Sequence, residues 1–251
     1  MLRRPLHYYL SLLLLAGMLS EGAHALSEHN QGLPAPPMNI IVIGGSSGMG
    51  KAAAIACVKR GGKALLVSRS KDKLAKAAEE VRSYAPSEAS SVKDLLVETA
   101  VLDATDEDAV KKFVAETIAR SEENASDLHT SSDWDALVVS AAGKAPHGPL
   151  ATLPTDSTRE LFESKFWSAY HCAKHIGPVL RAGGAIVFVA GVLNRRPGMN
   201  CSPLASTNGA LEGLTRALAL EWGPQLRVNC LRYVCVCVFL TGDFSVSLSI
   251  R

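Results

Sequence analysis

The sequence predicts an α/β fold, a doubly wound parallel sheet with helices on both faces. Three observations carry this expectation. From Asn39 onward, short apolar runs alternate with helix-like segments. Most of these runs are continuously apolar rather than alternating, as strands buried on both faces require. The first run ends in a glycine-rich turn that opens directly into a helical pattern.

The elements follow in order. Residues 40–43 form the first expected strand, and residues 48–60 an Ala-rich helix. Residues 64–67 read as the second strand and 71–84 as an amphipathic helix, with a polar loop continuing through Ser91. Residues 95–102 are the third strand, and 106–120 a helix whose start Thr105 and Asp108 are expected to cap. Residues 136–139 are the fourth strand. A long helix over 157–180 is expected to open with the capping-box pair Ser157 and Glu160. The fifth strand spans 185–190, the next major helix 203–222 and the sixth strand 226–231. Right-handed crossovers close this pattern into an open sheet whose ligands bind beyond the carboxyl ends of the strands. The loops to inspect therefore follow Ile43, Val67, Leu102, Val139, Ala190 and Leu231. There is no internal repeat.

Composition narrows the function classes. The 251 residues suit one domain with an appendage. With 47% hydrophobic and 20% charged residues, the chain can build a packed core. Lys plus Arg number 26 against 24 Asp plus Glu, a net charge of +2, which argues against a nucleic-acid-binding face. Six cysteines are too few for a disulfide scaffold, and Cys57, Cys172 and Cys230 fall inside apolar patterns. The Cys235-x-Cys237 pair has no His or second Cys pair beside it, so no metal site is expected.

The amino terminus reads separately. Arg3 and Arg4 precede an apolar run over 8–19, and Ala23-His24-Ala25 has the form of a cleavage site. Residues 1–25 are thus expected to be a secretory signal peptide, with an organelle presequence or an uncleaved anchor as the alternatives. The run is shorter than the roughly 20 apolar residues of a membrane span. The expected location is the secretory pathway or an organelle, the alternative the cytoplasm. Residues 26–38, with Pro34, Pro36 and Pro37, read as a linker.

The chemistry concentrates in Gly44-Gly45-Ser46-Ser47-Gly48-Met49-Gly50. Glycines let the backbone approach a ligand, and the helix behind them points N–H groups and partial positive charge at it. Ser46 and Ser47 add hydroxyl donors. The spacing of Gly44, Gly48 and Gly50 resembles that of the short-chain dehydrogenase/reductase family, and the resemblance covers about residues 39–231. It implies a Rossmann-type domain that binds NAD(P) and transfers hydride to or from a carbonyl or alcohol carbon. Gly44, Ser46, Ser47, Gly48, Met49 and Gly50 would then hold the cofactor. NAD-preferring members carry an acid at the position of Ser68. Here that position is neutral and Arg69 follows, which implies NADP(H) in preference to NAD(H). Asp103 matches the family residue that contacts adenine, or serves only the start of the following helix. Ser140-Ala141-Ala142-Gly143 resembles the family's Asn-Asn-Ala-Gly, placing Ala141 and Gly143 beside the adenosine. Residues 209–221 and 226–230 resemble the helix and strand that follow the family's catalytic motif.

The family's catalytic side chains are changed. Its Tyr position is Leu204, its Lys position Asn208, its Ser position Gly191 or Ala190, and its Asn position Lys165. No catalytic residue is therefore assigned. Tyr170 and Lys174 have Tyr-x-x-x-Lys spacing but precede the fifth strand, and Tyr170 is turned away from Lys165 on the helix. Lys165 and His147 are candidate proton donors near the cleft. Arg195 and Arg196 are candidates for meeting an anionic substrate. The resemblance implies an NADP(H)-dependent oxidoreductase on a small-molecule carbonyl or alcohol. The alternatives are a non-catalytic NADP-binding module with a regulatory or structural role, or a truncated product that folds poorly. The family often pairs its long helices, so a homo-oligomer is expected. From Arg232 the chain departs from the family. The Val-Cys alternation over 234–238 is what a guanine–thymine repeat encodes, and residues 232–251 are expected to be an atypical tail of translated intron, or else an edge strand.

Overall fold

The computed structural model describes residues 37–86, 95–118 and 133–233. The expected signal segment, most of the linker, Cys235, Cys237 and the tail beyond Tyr233 lie outside the described residues. Six parallel strands form one sheet in the order β3-β2-β1-β4-β5-β6. They are β1 (Ile40–Ile43), β2 (Ala64–Ser68), β3 (Val97–Val101), β4 (Ala136–Val139), β5 (Gly184–Gly191) and β6 (Leu226–Tyr233). The helices are α1 (Gly48–Val58), α2 (Lys71–Arg82), α3 (Glu107–Phe113), α4 (Thr155–Leu161), α5 (Ser168–Ile176) and α6 (Ser202–Trp222). Strand order reverses between β1 and β4, which is the switch point at which such sheets open a ligand crevice.

β-Branched residues and side-chain alternation explain the layers. In β1, Ile40 and Val42 face one side with Ala53, Ala54 and Val58 of α1 and Leu74 and Val81 of α2. Ile41 and Ile43 face the other, with Val110 of α3, Cys172 and Ile176 of α5, and Leu211 of α6. Phe188 in β5, fully buried, anchors this second core. Both faces are covered, so the central strands read as unbroken apolar runs.

Several local expectations are corrected. β3 is two residues shorter at its start and one at its end, because it is an edge strand paired only with β2, and Glu98 and Thr99 face solvent. Thr105 and Asp108 do not cap α3. Asp106 does, accepting from the N–H of Asp108 and Ala109, while the Thr105 hydroxyl donates to Asp103. The Ser157–Glu160 box does not form. The helix starts earlier behind Pro154, whose fixed φ suits the entry, and Asp156 in the first turn pairs with Arg159 instead. The long helix is interrupted: Phe162–Trp167 is a π-helical turn between α4 and α5, and a second π turn, Val114–Ile118, follows α3. β6 runs through Arg232 and Tyr233, which pair with Ala190 and Gly191, so the strand continues two residues past its expected end.

Candidate functional site

The carboxyl end of β1 turns sharply into α1. The N–H groups of Gly44 and Gly45 both donate to Val67 O, folding the loop over the end of β2. Ser140, just after β4, donates its hydroxyl to Ile43 O at 3.1 Å and ties the loop from the other side. A Cβ on Gly50 would collide with that hydroxyl and lie 2.5 Å from Gly44 O. Gly50 is therefore fixed by close packing of helix, loop and β4. Gly48 differs. Its φ is +54°, and an added Cβ there would meet nothing within 4 Å. Its backbone borders open space at the mouth of α1. Ser47 precedes the helix without a side-chain cap, and the first turn holds no acid. The start of α1 thus carries neither a side-chain cap nor a first-turn acid, as an anion cradle favours.

The remaining expected cofactor residues surround this cradle. Ser46 is half-buried and Ser47 exposed. The Met49 side chain is half-buried and packs against the core. Ala141 N lies against Gly44, and Gly143 N donates to Ser164 Oγ at 3.0 Å, fastening the loop after β4 to the π turn. Arg69, one residue beyond β2, is exposed and makes no hydrogen bond or ion pair among the described residues. Beside it Ser68 Oγ is buried without a partner among the described residues. Asp103 is exposed beyond β3, with Oδ1 accepting from the N–H and hydroxyl of Thr105. Gly44, Gly48, Gly50, Ala141 and Gly143 thus meet at the switch point, while Arg69 and Asp103 stand at the strand ends to one side. Gly50→Ala is expected to cost about 1–3 kcal/mol through overpacking and to weaken nucleotide binding. Urea unfolding and calorimetry check this, and an unchanged midpoint would contradict the packing role.

On the other side of the switch point, Lys165, one of the candidate proton donors, is not solvated. The π turn carries it inward to 3% exposure, where Nζ donates to Asn208 Oδ1 at 2.6 Å. Burial pushes its pKa down to about 8. Leu204 lies one turn earlier on α6 and is half-buried. His147 is exposed. Arg195 is held by Glu212 rather than presented to a substrate, and Arg196 is exposed. Tyr170 and Lys174 do not act together: Tyr170 packs against Trp167 at the surface, and Lys174 pairs with Glu107 of α3 at 2.8 Å. Sequence reasoning missed Ser140, Ser164 and the Lys165–Asn208 pair. The signal for the pair was present, since Lys and Asn have exchanged the positions at which the family resemblance expects them.

Fold and site together define a nucleotide-binding α/β domain. The profile of the short chain dehydrogenase family matches residues 38–243, and the chain belongs to that family. It is 26% identical over 194 residues to 3-ketodihydrosphingosine reductase of Mus musculus, covering 76% of this chain and 54% of that protein. The chain thus spans about half the length of this relative. Among solved structures it resembles an NAD⁺-bound xylitol dehydrogenase (TM-score 0.66, 22% identity, 79% of this chain and 70% of that one). It equally resembles a short chain dehydrogenase of Shigella flexneri complexed with NADP (TM-score 0.66, 20% identity, 79% and 77%). These likenesses establish the fold.

Proposed function

We propose that the protein is an NADP(H)-dependent oxidoreductase acting on a small-molecule carbonyl or alcohol. The observation that carries the cofactor choice is the end of β2: among the described residues, an exposed, unpaired Arg69 stands beside a neutral Ser68 whose buried hydroxyl has no partner. An orphaned hydroxyl and a free guanidinium fit a ribose bearing a 2′-phosphate, and no carboxylate stands there to repel it. The open backbone at Gly48 and the uncapped start of α1 fit the diphosphate. In this reading the loop after β4, with Ala141 and Gly143, lies on the adenosine side, with Asp103 beside the adenine. When bound, the nicotinamide supplies or accepts a hydride. The chain's own contribution is to position the two reactants, a gain separate from acid–base catalysis. The relative from mouse is named as a reductase of a keto compound, which favours reduction of a ketone. The reading includes delivery to the secretory pathway or an organelle, resting on residues 3–25.

Arg69→Ala is expected to weaken NADPH binding about 10–100-fold, the equivalent of a charge-assisted hydrogen-bonded contact, while NADH affinity stays within about twofold. Titration calorimetry on the full chain decides. Equal losses for both nucleotides, or no binding of either, would remove the 2′-phosphate role. A second reading is a non-catalytic NADP-binding module, favoured by Leu204, which has no proton to give. Tight NADPH binding with no carbonyl-dependent oxidation across a broad panel would select it.

A further inference from the structure

Lys165 is unlike the other lysines of the described residues. It is buried, and among the described residues no carboxylate faces it. The Cys230 thiol on β6 is the titratable group that acts on its charge, and burial raises that thiol, leaving it uncharged. Glu163 on its own turn is exposed. Glu212, one turn beyond Asn208 on α6, is engaged by Arg195, Arg216 and Arg232. A buried ammonium without a counter-ion is costly, and nothing in the surrounding packing requires one.

Its partner is equally incomplete. Asn208 is fully buried and spends Oδ1 on the lysine, while its Nδ2 has no partner among the described residues. A Cβ at Gly191 would sit 2.9 Å from that nitrogen, so only glycine leaves the amide its place at the end of β5. Lys165 makes one hydrogen bond among the described residues and keeps two N–H groups unspent. The two unspent N–H groups of Lys165 and the Asn208 amide N–H thus converge between the ends of β4 and β5. Ser164 locks the turn to Gly143 on one side, and α6 holds Asn208 on the other. This is the direction in which a dinucleotide seated at α1 extends across the switch point. π-Helical turns recur at functional sites because they redirect a side chain in this way.

We propose that Lys165 and Asn208 form the oxygen-binding, proton-transferring pair of this crevice, with a substrate carbonyl oxygen as their ligand. The assignment deepens the oxidoreductase reading and rests on it. In reduction the carbonyl carbon takes the hydride delivered by the reduced pyridine nucleotide, and the C=O π pair moves onto oxygen. That oxygen takes a proton from Nζ, so an N–H bond breaks as an O–H bond forms. A neutral amine remains and is reprotonated from water. The Asn208 amide donates to the oxygen throughout. In the reverse direction the neutral amine takes the alcohol proton.

The test uses the full chain with NADPH and phenanthrenequinone, an electron-poor dicarbonyl, as the probe. Wild-type kcat/KM for reduction should fall as pH rises through about 8, the pH at which Lys165 loses its proton. Lys165→Met should lose about 10²-fold or more and lack that limb. Lys165→Arg keeps the charge but cannot release the proton, so it should not restore the rate. Rescue by Arg, or a Met variant with the wild-type rate and profile, overturns the proposal. A wild type that binds NADPH yet never reduces the quinone also overturns it. Failure of the wild type to bind NADPH instead removes the underlying oxidoreductase reading. If the variants do not fold, ¹⁵N titration of the Lys165 ammonium in the nucleotide-free wild type decides: an ordinary lysine pKa overturns the assignment.

Discussion

Lys165→Met is expected to stabilise the folded chain at pH 7, by about 1–2 kcal/mol. Burial lowers the lysine from 10.5 to about 8 in the folded state. The unfolded chain therefore binds the proton more tightly. Below pH 8 the folded state carries the whole cost, about 3 kcal/mol for a shift of this size. Between pH 8 and 10.5 the folded lysine is already neutral while the unfolded one is not, so the cost fades as pH rises. Methionine removes it at every pH. Against this, Asn208 loses its donor and its buried amide is left without any partner, which returns about 1–2 kcal/mol. The difference between variant and wild type should thus be greatest at neutral pH and shrink, or reverse, toward pH 10.5. Urea unfolding at pH 7 and at pH 10 measures both. A variant less stable than wild type at pH 7 would mean that the ammonium is a structural asset. A stabilising loss of a buried charge is what a residue retained for function predicts.

The sheet was legible because its signal is redundant. Four consecutive apolar residues at Ile40–Ile43, and again at Ala136–Val139, leave no polar face, and only strands covered on both sides tolerate that. The turn from β1 into α1 was legible because glycine spacing, strand and helix occur in one short stretch. What escaped was long-range or set by subtle register. Asp106 competes with Thr105 and Asp108 for the same helix start, and only the folded turn shows that Thr105 is taken up by Asp103. The π turn at Phe162–Trp167 has no distinctive composition, yet it decides whether Lys165 faces water or Asn208. Lys165 and Asn208 are far apart in the chain, so their pairing depends on tertiary packing that a periodicity argument cannot supply. The same holds for Arg195: a basic residue after a strand end reads as a ligand contact until Glu212, on the next helix, is seen to hold it.

Glu212→Gln is expected to destabilise the chain by about 3 kcal/mol at pH 7. The carboxylate is nearly buried on α6 and joins three separate pieces of chain. Asn194 and Arg195 come from the turn after β5, Arg216 from the next turn of α6, and Arg232 from the end of β6. Arg195's hydrogen bond is the chief influence holding the carboxyl at about 2 against a burial that would raise it, with Asn194 and the charge of Arg232 assisting. An acid held below its ordinary 4.5 contributes stability that is complete above that pH and is lost as pH falls toward 2. Glutamine abolishes the charge that Arg232, only 17% exposed, faces at 3.3 Å, and weakening a buried pair from one side is costly. Arg195 and Arg216 are more than half exposed, so removing either alone should matter far less than removing the acid they share. Unfolding measured from pH 7 down to pH 2 should show wild type and Glu212→Gln converging below pH 4.5. A gap that persists undiminished at pH 2 would assign the loss to packing, and a gap below about 1 kcal/mol at pH 7 would show the cluster to be a solvated surface pair. The cluster also fixes the turn that follows Gly191, so the same variant should loosen the end of β5 against which the Asn208 amide rests. Under the proposed oxidoreductase function, NADPH-dependent turnover should therefore fall together with stability in Glu212→Gln, and not in Arg216→Ala.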